Sequence, residues 1–136
     1  MTFVLDASVT LAWCFADEAS GLADRVLDRL EHEEAVAPAA WPLEVANGLR
    51  TAERRGRLDL ADLAHVRELL TALPVQVESV LLDAALGEVT ELARRLDLTA
   101  YDAAYLALAA RNGLALATVD DRLRRACEEA GVELVS

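Results

Sequence analysis

Four carboxylates interrupt otherwise apolar stretches of this chain. Asp6 closes the run Phe3-Val4-Leu5, and Glu44 lies in Trp41-Pro42-Leu43-Glu44-Val45-Ala46-Asn47. Asp102 lies in Thr99-Ala100-Tyr101-Asp102-Ala103-Ala104-Tyr105-Leu106, and Asp120 follows Ala117-Thr118-Val119. Most other acidic residues, such as Asp24, Asp28 and Glu31, fall on helical faces as solvated charges. Each of the four also has a structural role open to it. Asp6 could cap a first helix, and Glu44 could favour a helix N-terminus through the macrodipole. Thr99 and Asp102 have the spacing of a capping box, and Asp120 could be the N-cap of a last helix. If all four converge, they repel one another and cannot all stay ionised unaided. A hard divalent cation removes that conflict, and an all-oxygen donor set suits Mg²⁺ or Mn²⁺ better than zinc.

Other chemistries have little to work with. All 13 basic residues are Arg, so readings that need lysine, among them P-loop ATPases and Schiff-base enzymes, are excluded. Cys14 and Cys127 form no Cys-x-x-Cys pair, which fits two buried thiols in a reducing cytoplasm. His32 and His65 have no second ligand at metal spacing and no place in a nucleophilic triad. The formal net charge of -11 repels phosphate backbones, so DNA binding by this chain alone is not expected. No apolar stretch approaches a membrane span and no basic, apolar leader opens the chain; a cytoplasmic location is expected.

At 136 residues one domain over 1–136 is expected. The pattern predicts strands over 2–5, 35–37, 75–77, 114–117 and 132–135. Helices are predicted over about 8–15, 20–33, 42–55, 59–71, 80–96, 99–112 and 121–130, with Ser8, Ser20, Asp59 and Thr99 near their starts. Short apolar strands alternating with helices imply an α/β fold with a mainly parallel, five-stranded sheet covered on both faces. Such sheets place their sites beyond the carboxyl ends of the strands, where Asp6 and Asp120 both fall. The 27 alanines imply close helix packing.

The segments Val4-Leu5-Asp6-Ala7-Ser8, Leu43-Glu44-Val45-Ala46-Asn47, Thr99-Ala100-Tyr101-Asp102-Ala103-Ala104-Tyr105 and Ala117-Thr118-Val119-Asp120 resemble, in order and spacing along the whole chain, the PIN domain. More narrowly, they are similar to the toxin ribonucleases of bacterial VapBC toxin–antitoxin pairs. The resemblance implies a three-layer α/β/α PIN-like fold and a metal-dependent endoribonuclease. Asp6, Asp102 and Asp120 would hold Mg²⁺, with Mn²⁺ as a substitute, directly or through water. Glu44 would complete the set, and Ser8, Asn47 and Thr118 would be its polar supports. It also implies an RNA substrate, a cognate antitoxin and a homodimer, and the 54% hydrophobic content is more than one small core readily hides.

Arg50, Arg54, Arg55 and Arg57 could contact RNA phosphate or form a solvated face pairing with Glu53 and Asp59. Trp13 and Trp41 could stack on bases or pack in the core. Two rival readings remain. Haloacid-dehalogenase-like phosphatases also open on an Asp after strand one, but they need an Asp where this chain has Ser8, and a Lys. A non-catalytic PIN-like partner-binding module would be expected to have lost a carboxylate, and none is lost.

Overall fold

Phe3, Val4 and Leu5 are all 0% exposed. Successive strand side chains point to opposite faces, so β1 (Thr2–Leu5) is covered on both sides. The computed structural model, which describes residues 2–136, therefore has helices on both faces of its sheet, the expected three layers. β1 pairs in parallel with β2 (Glu34–Pro38) on one side and with β4 (Leu116–Ala117) on the other. β3 (Val75–Glu78) lies beyond β2, giving the order β3-β2-β1-β4.

The sheet has four strands rather than five. The segment 132–135 contributes one parallel bridge, Leu134 to Leu116. The cause lies in the shortness of β4. Leu114 donates its N–H back to the carbonyl of Ala109, where Gly113 turns the chain out of its helix at φ 63°. After Ala117, Thr118 turns its hydroxyl to the loop, so only a two-residue strand is left to pair with.

The helices are α1 (Ala7–Ala12), α2 (Gly21–Arg29), α3 (Trp41–Arg54), α4 (Leu60–Thr71), α5 (Leu82–Ala84), α6 (Thr90–Leu96), α7 (Ala100–Asn112) and α8 (Asp121–Ala130). Ser20 caps α2 by accepting from Ala23 N–H at 3.0 Å. Asp59 and Asp62 form a reciprocal capping box on α4. α1 starts one residue before expected, because Ser8 turns its hydroxyl to Asp6 instead of capping. The helix expected over 80–96 starts at Leu82 and carries a π-helical stretch, Ala85–Val89. There Thr90 Oγ1 donates to the Ala85 carbonyl at 2.6 Å, five residues back.

α7 packs on β1 and β2 through buried Ala103, Tyr105, Leu106 and Ala109. Its alanines let the helix approach the sheet closely. Gly48 does the same between α1 and α3: a Cβ there would stand 2.5 Å from Leu11 Cδ1. The elements carrying Asp6 and Glu44 are thus brought together by a missing side chain.

Candidate functional site

The strand order reverses beside β1: β2 and β3 lie on one side and β4 on the other. In an open parallel sheet the crevice at such a reversal, past the carboxyl ends, is where a ligand fits. Asp6 ends β1, and Thr118 to Asp120 leave β4 at that crevice. The ladder fixes their register: Leu5 pairs with Ala117, and the Asp6 N–H donates to the Ala117 carbonyl at 3.0 Å.

Asp6 is 5% exposed. Its Oδ2 accepts from Ser8 Oγ at 2.5 Å and from Thr118 Oγ1 at 2.7 Å. The same two hydroxyls accept from the loop that carries Asp120. Val119 N–H donates to Ser8 Oγ at 3.1 Å, and Asp120 N–H donates to Thr118 Oγ1 at 3.0 Å. Arg124 Nη1 clamps this loop by donating to the Thr118 carbonyl at 2.7 Å. Ser8 and Thr118 thus both bond Asp6, while Asp6 makes no side-chain cap bond to α1.

Asp120 is the N-cap of α8. Its Oδ1 accepts from Arg122 N–H at 2.9 Å and from Leu123 N–H at 3.2 Å. Asp102 sits in the first turn of α7, half-buried. Thr99 Oγ1 accepts from Asp102 N–H at 3.1 Å, but the Asp102 carboxylate does not return the bond, so only half of the possible capping box forms. Glu44, in the first turn of α3, is half-buried, and its Oε1 accepts from Tyr105 Oη at 2.7 Å.

Asp6, Glu44 and Asp102 sense their surroundings and their acidic neighbours. Burial pushes Asp6 up from the usual carboxylate range; the hydrogen bonds from Ser8 and Thr118 pull it down, and the charge of Asp120 pushes it up further. Burial also raises Glu44, opposed by the Tyr105 hydrogen bond and reinforced by Asp6 and Asp102. Asp102 is raised by burial and then by Asp120 and Asp6, with Arg122 the one cation acting against them. Burial is the largest cause for each of these three.

Among the described residues, no three His, Cys, Asp or Glu side chains are gathered into a ready ligand group for a metal ion. The carboxylates act on one another through charge and stop short of a closed cage. Their chemistry nonetheless fits a hard divalent ion: the donors are all oxygen, and the excess negative charge is what such an ion relieves. An open groove lined by Ser8, Leu11, Glu18, Val119 and Asp120 borders the site on the Asp120 side.

Asn47 lies exposed one turn beyond Glu44, and among the described residues its side chain makes no hydrogen bond to the carboxylates. Two of the four arginines at and beyond the end of α3 are paired on the surface. Arg50 meets Glu53 at 3.1 Å, while Arg57 meets Asp17 at 2.7 Å rather than Asp59, which is spent on capping α4. Trp41 is core, its Nε1 donating to Thr10 Oγ1 at 3.1 Å, and Trp13 Nε1 donates to the Ala23 carbonyl at 2.7 Å. Sequence reasoning missed Tyr105 as a contact of Glu44. Its signal was a hydroxyl within an apolar run, three residues beyond Asp102 and so on the same helical face.

Among the described residues no helix is long and apolar enough to cross a membrane. The family profile of the PIN domain matches residues 3–129. The chain is 36% identical over 127 residues to Ribonuclease VapC3 of Pyrobaculum aerophilum, covering 90% of this chain and 92% of that one. Its fold is similar to the crystal structure of PAE2754 from Pyrobaculum aerophilum, with a TM-score of 0.70 and 26% identity over 93% of this chain and 84% of the other.

Proposed function

The chain belongs to the PIN-domain family, and from that premise we propose that it is a metal-dependent endoribonuclease of VapC type, one such domain over residues 1–136, acting as the toxin of a toxin–antitoxin pair. The observation that carries this reading is the placement of Asp6 and Asp120 at the reversal of strand order, with the charge of Asp120 acting on Asp6 and Asp102 and the charges of Asp6 and Asp102 acting on Glu44.

Asp6, Asp102 and Asp120 would hold Mg²⁺, or Mn²⁺ in its place, with Glu44 completing the set directly or through water. Once bound, the ion supplies an activated water for in-line attack on a phosphodiester and stabilises the charge that develops. The chain's own residues prepare for this. Ser8 and Thr118 donate to Asp6 and so favour its ionised form against the cost of burial. The same hydroxyls hold the Asp120 loop against β1, setting two of the acids at a fixed separation. The Asp120 cap bonds keep the start of α8 at the mouth of the groove.

The absence of lysine and the Ser at position 8 disfavour a phosphatase of the haloacid-dehalogenase kind. The retention of all four acids disfavours a binding module that has lost its chemistry. A homodimer and a separate antitoxin chain belong to the same reading. The test is cleavage of RNA by the pure protein. Cleavage is expected with Mg²⁺, to stop with chelator, and to be lost in Asp6→Asn. Metal binding without cleavage of any RNA would favour the binding module instead.

A further inference from the structure

We propose that Tyr105 is a positioning residue of this site: its phenol holds the Glu44 carboxylate in the orientation in which it faces a divalent ion. This deepens the reading above and rests on it.

Tyr105 lies on α7 among Ala103, Leu106, Ala107, Leu108 and Ala109, and like most of them it is fully buried. An apolar side chain would suffice for packing there, whereas a buried phenol needs a hydrogen-bond partner. It finds one across 61 residues of sequence, donating to Glu44 Oε1 at 2.7 Å. One hydroxyl therefore ties α7 to the first turn of α3.

The tie has something to oppose. Glu44 is half-buried within reach of the charges of Asp6 and Asp102. Repulsion and solvation both favour swinging it outward from the open start of α3. The phenol bond stops that rotation before any ion arrives, so the ordering cost is met on folding rather than on binding. Partners that orient a ligand in this way typically change metal affinity by about 10–100-fold. The nearby bond from Trp41 Nε1 to Thr10 Oγ1 also joins α3 to α1, but it touches no acid. Tyr105 alone among the described residues bonds Glu44 through a side chain.

The test is Mn²⁺ binding, measured by calorimetry on the whole protein as wild type, Tyr105→Phe, Glu44→Ala and the double variant, with metal-free melting curves beside each. Tyr105→Phe keeps the ring in the core. It is expected to weaken Mn²⁺ binding by about ten-fold and to add nothing once Glu44 is removed, because the phenol acts only through that carboxylate. An unchanged affinity in Tyr105→Phe, whatever happens to its melting temperature, assigns the bond to stability alone and overturns the proposal. The same factor lost with and without Glu44 overturns it too. If the wild type takes up no Mn²⁺, the metal-dependent reading of the site falls and this inference falls with it. If the wild type binds and Tyr105→Phe binds equally well, only the inference fails.

Discussion

Asp120 holds the first turn of α8 in place: its Oδ1 accepts the backbone N–H of Leu123 at 3.2 Å. The residue is thus a helix cap and a candidate ion ligand at once, and substitutions can separate the two. Asn caps a helix about as well as Asp, so Asp120→Asn should keep the fold and lose most RNA cleavage. Asp120→Ala should lose cleavage and also about 1 kcal/mol of stability. The neighbouring Asp121 is exposed within the first turn of α8, and Asp121→Asn should keep most of the activity. Parallel single-turnover cleavage at saturating Mg²⁺, with melting curves, checks all three. A dead Asp121→Asn would move the assignment by one residue.

The acids should weaken the metal-free fold at neutral pH. Burial, then neighbouring charge, raises Glu44 and Asp102 above their ordinary values, and burial raises Asp6. The folded state therefore binds protons more tightly than the unfolded chain. Stability from these groups is present in acid and is lost as pH rises from the unfolded carboxylate range through the raised folded values. Asp102→Asn removes one contributor. Without metal it should melt higher than the parent near neutral pH and show a flatter dependence on the acid side. A lower melting temperature for the metal-free variant would contradict the repulsion argument.

Divalent ions should reverse that weakness. Mg²⁺ binding only the folded form stabilises it by about 2.7 kcal/mol at a hundredfold excess over Kd. The melting temperature should rise with millimolar Mg²⁺ or Mn²⁺ and return on chelation, and the rise should shrink in Asp6→Asn. A wild-type curve indifferent to both ions would remove the shared site.

The two thiols should differ in access rather than acidity. Burial pushes both Cys14 and Cys127 up to about 11. Cys127 is 0% exposed, whereas Cys14 opens on an apolar pocket with Trp13, Leu27, Val66 and Leu70. A maleimide near neutral pH should label Cys14 slowly and Cys127 only after unfolding, as peptide mass mapping would show. Equal rates in the native protein would mean that the core opens more readily than its packing implies.

The proposed homodimer should draw on the stretch from β3 into the start of the π-helical segment. Val77, Val80, Leu81, Leu82 and Leu86 are all exposed there, Leu81 at 76%, an apolar run of the kind that marks an interface. Wild type should sediment as a dimer at tens of micromolar, and Leu81→Asp with Leu82→Asp should shift it to monomer. A monomeric wild type would count against the dimer, and an unaffected dimer would place the interface elsewhere.

What was legible in the sequence follows from how local each signal is. Asp6 after three apolar residues and Asp120 after a Thr-x pattern mark strand ends, which a reading of short continuous apolar runs finds directly. The fifth strand failed because pairing is not local: Val132 to Val135 has the composition of a strand, but β4 offers it one residue. The π-helical stretch was hidden because Ala85–Val89 contains nothing that distinguishes i+5 from i+4 hydrogen bonding, apart from the Thr90 hydroxyl that takes up the Ala85 carbonyl. Asn47 matched a motif and shares a helical face with Glu44, yet it stands in solvent one turn further on. Tyr105 reads as core by every periodic measure, and only tertiary packing shows what its oxygen meets.

The hydroxyl of Thr118 reaches the carboxylate of Asp6 across 112 residues of chain. Seven helices and three strands separate Asp6 from its partners Thr118 and Asp120 along the chain. Until the loop before α8 has docked, a folding chain brings together at most three of the four acids and lacks the Thr118 hydroxyl that bonds the first. The carboxylate pocket can therefore close only once the last of these elements has joined the fold.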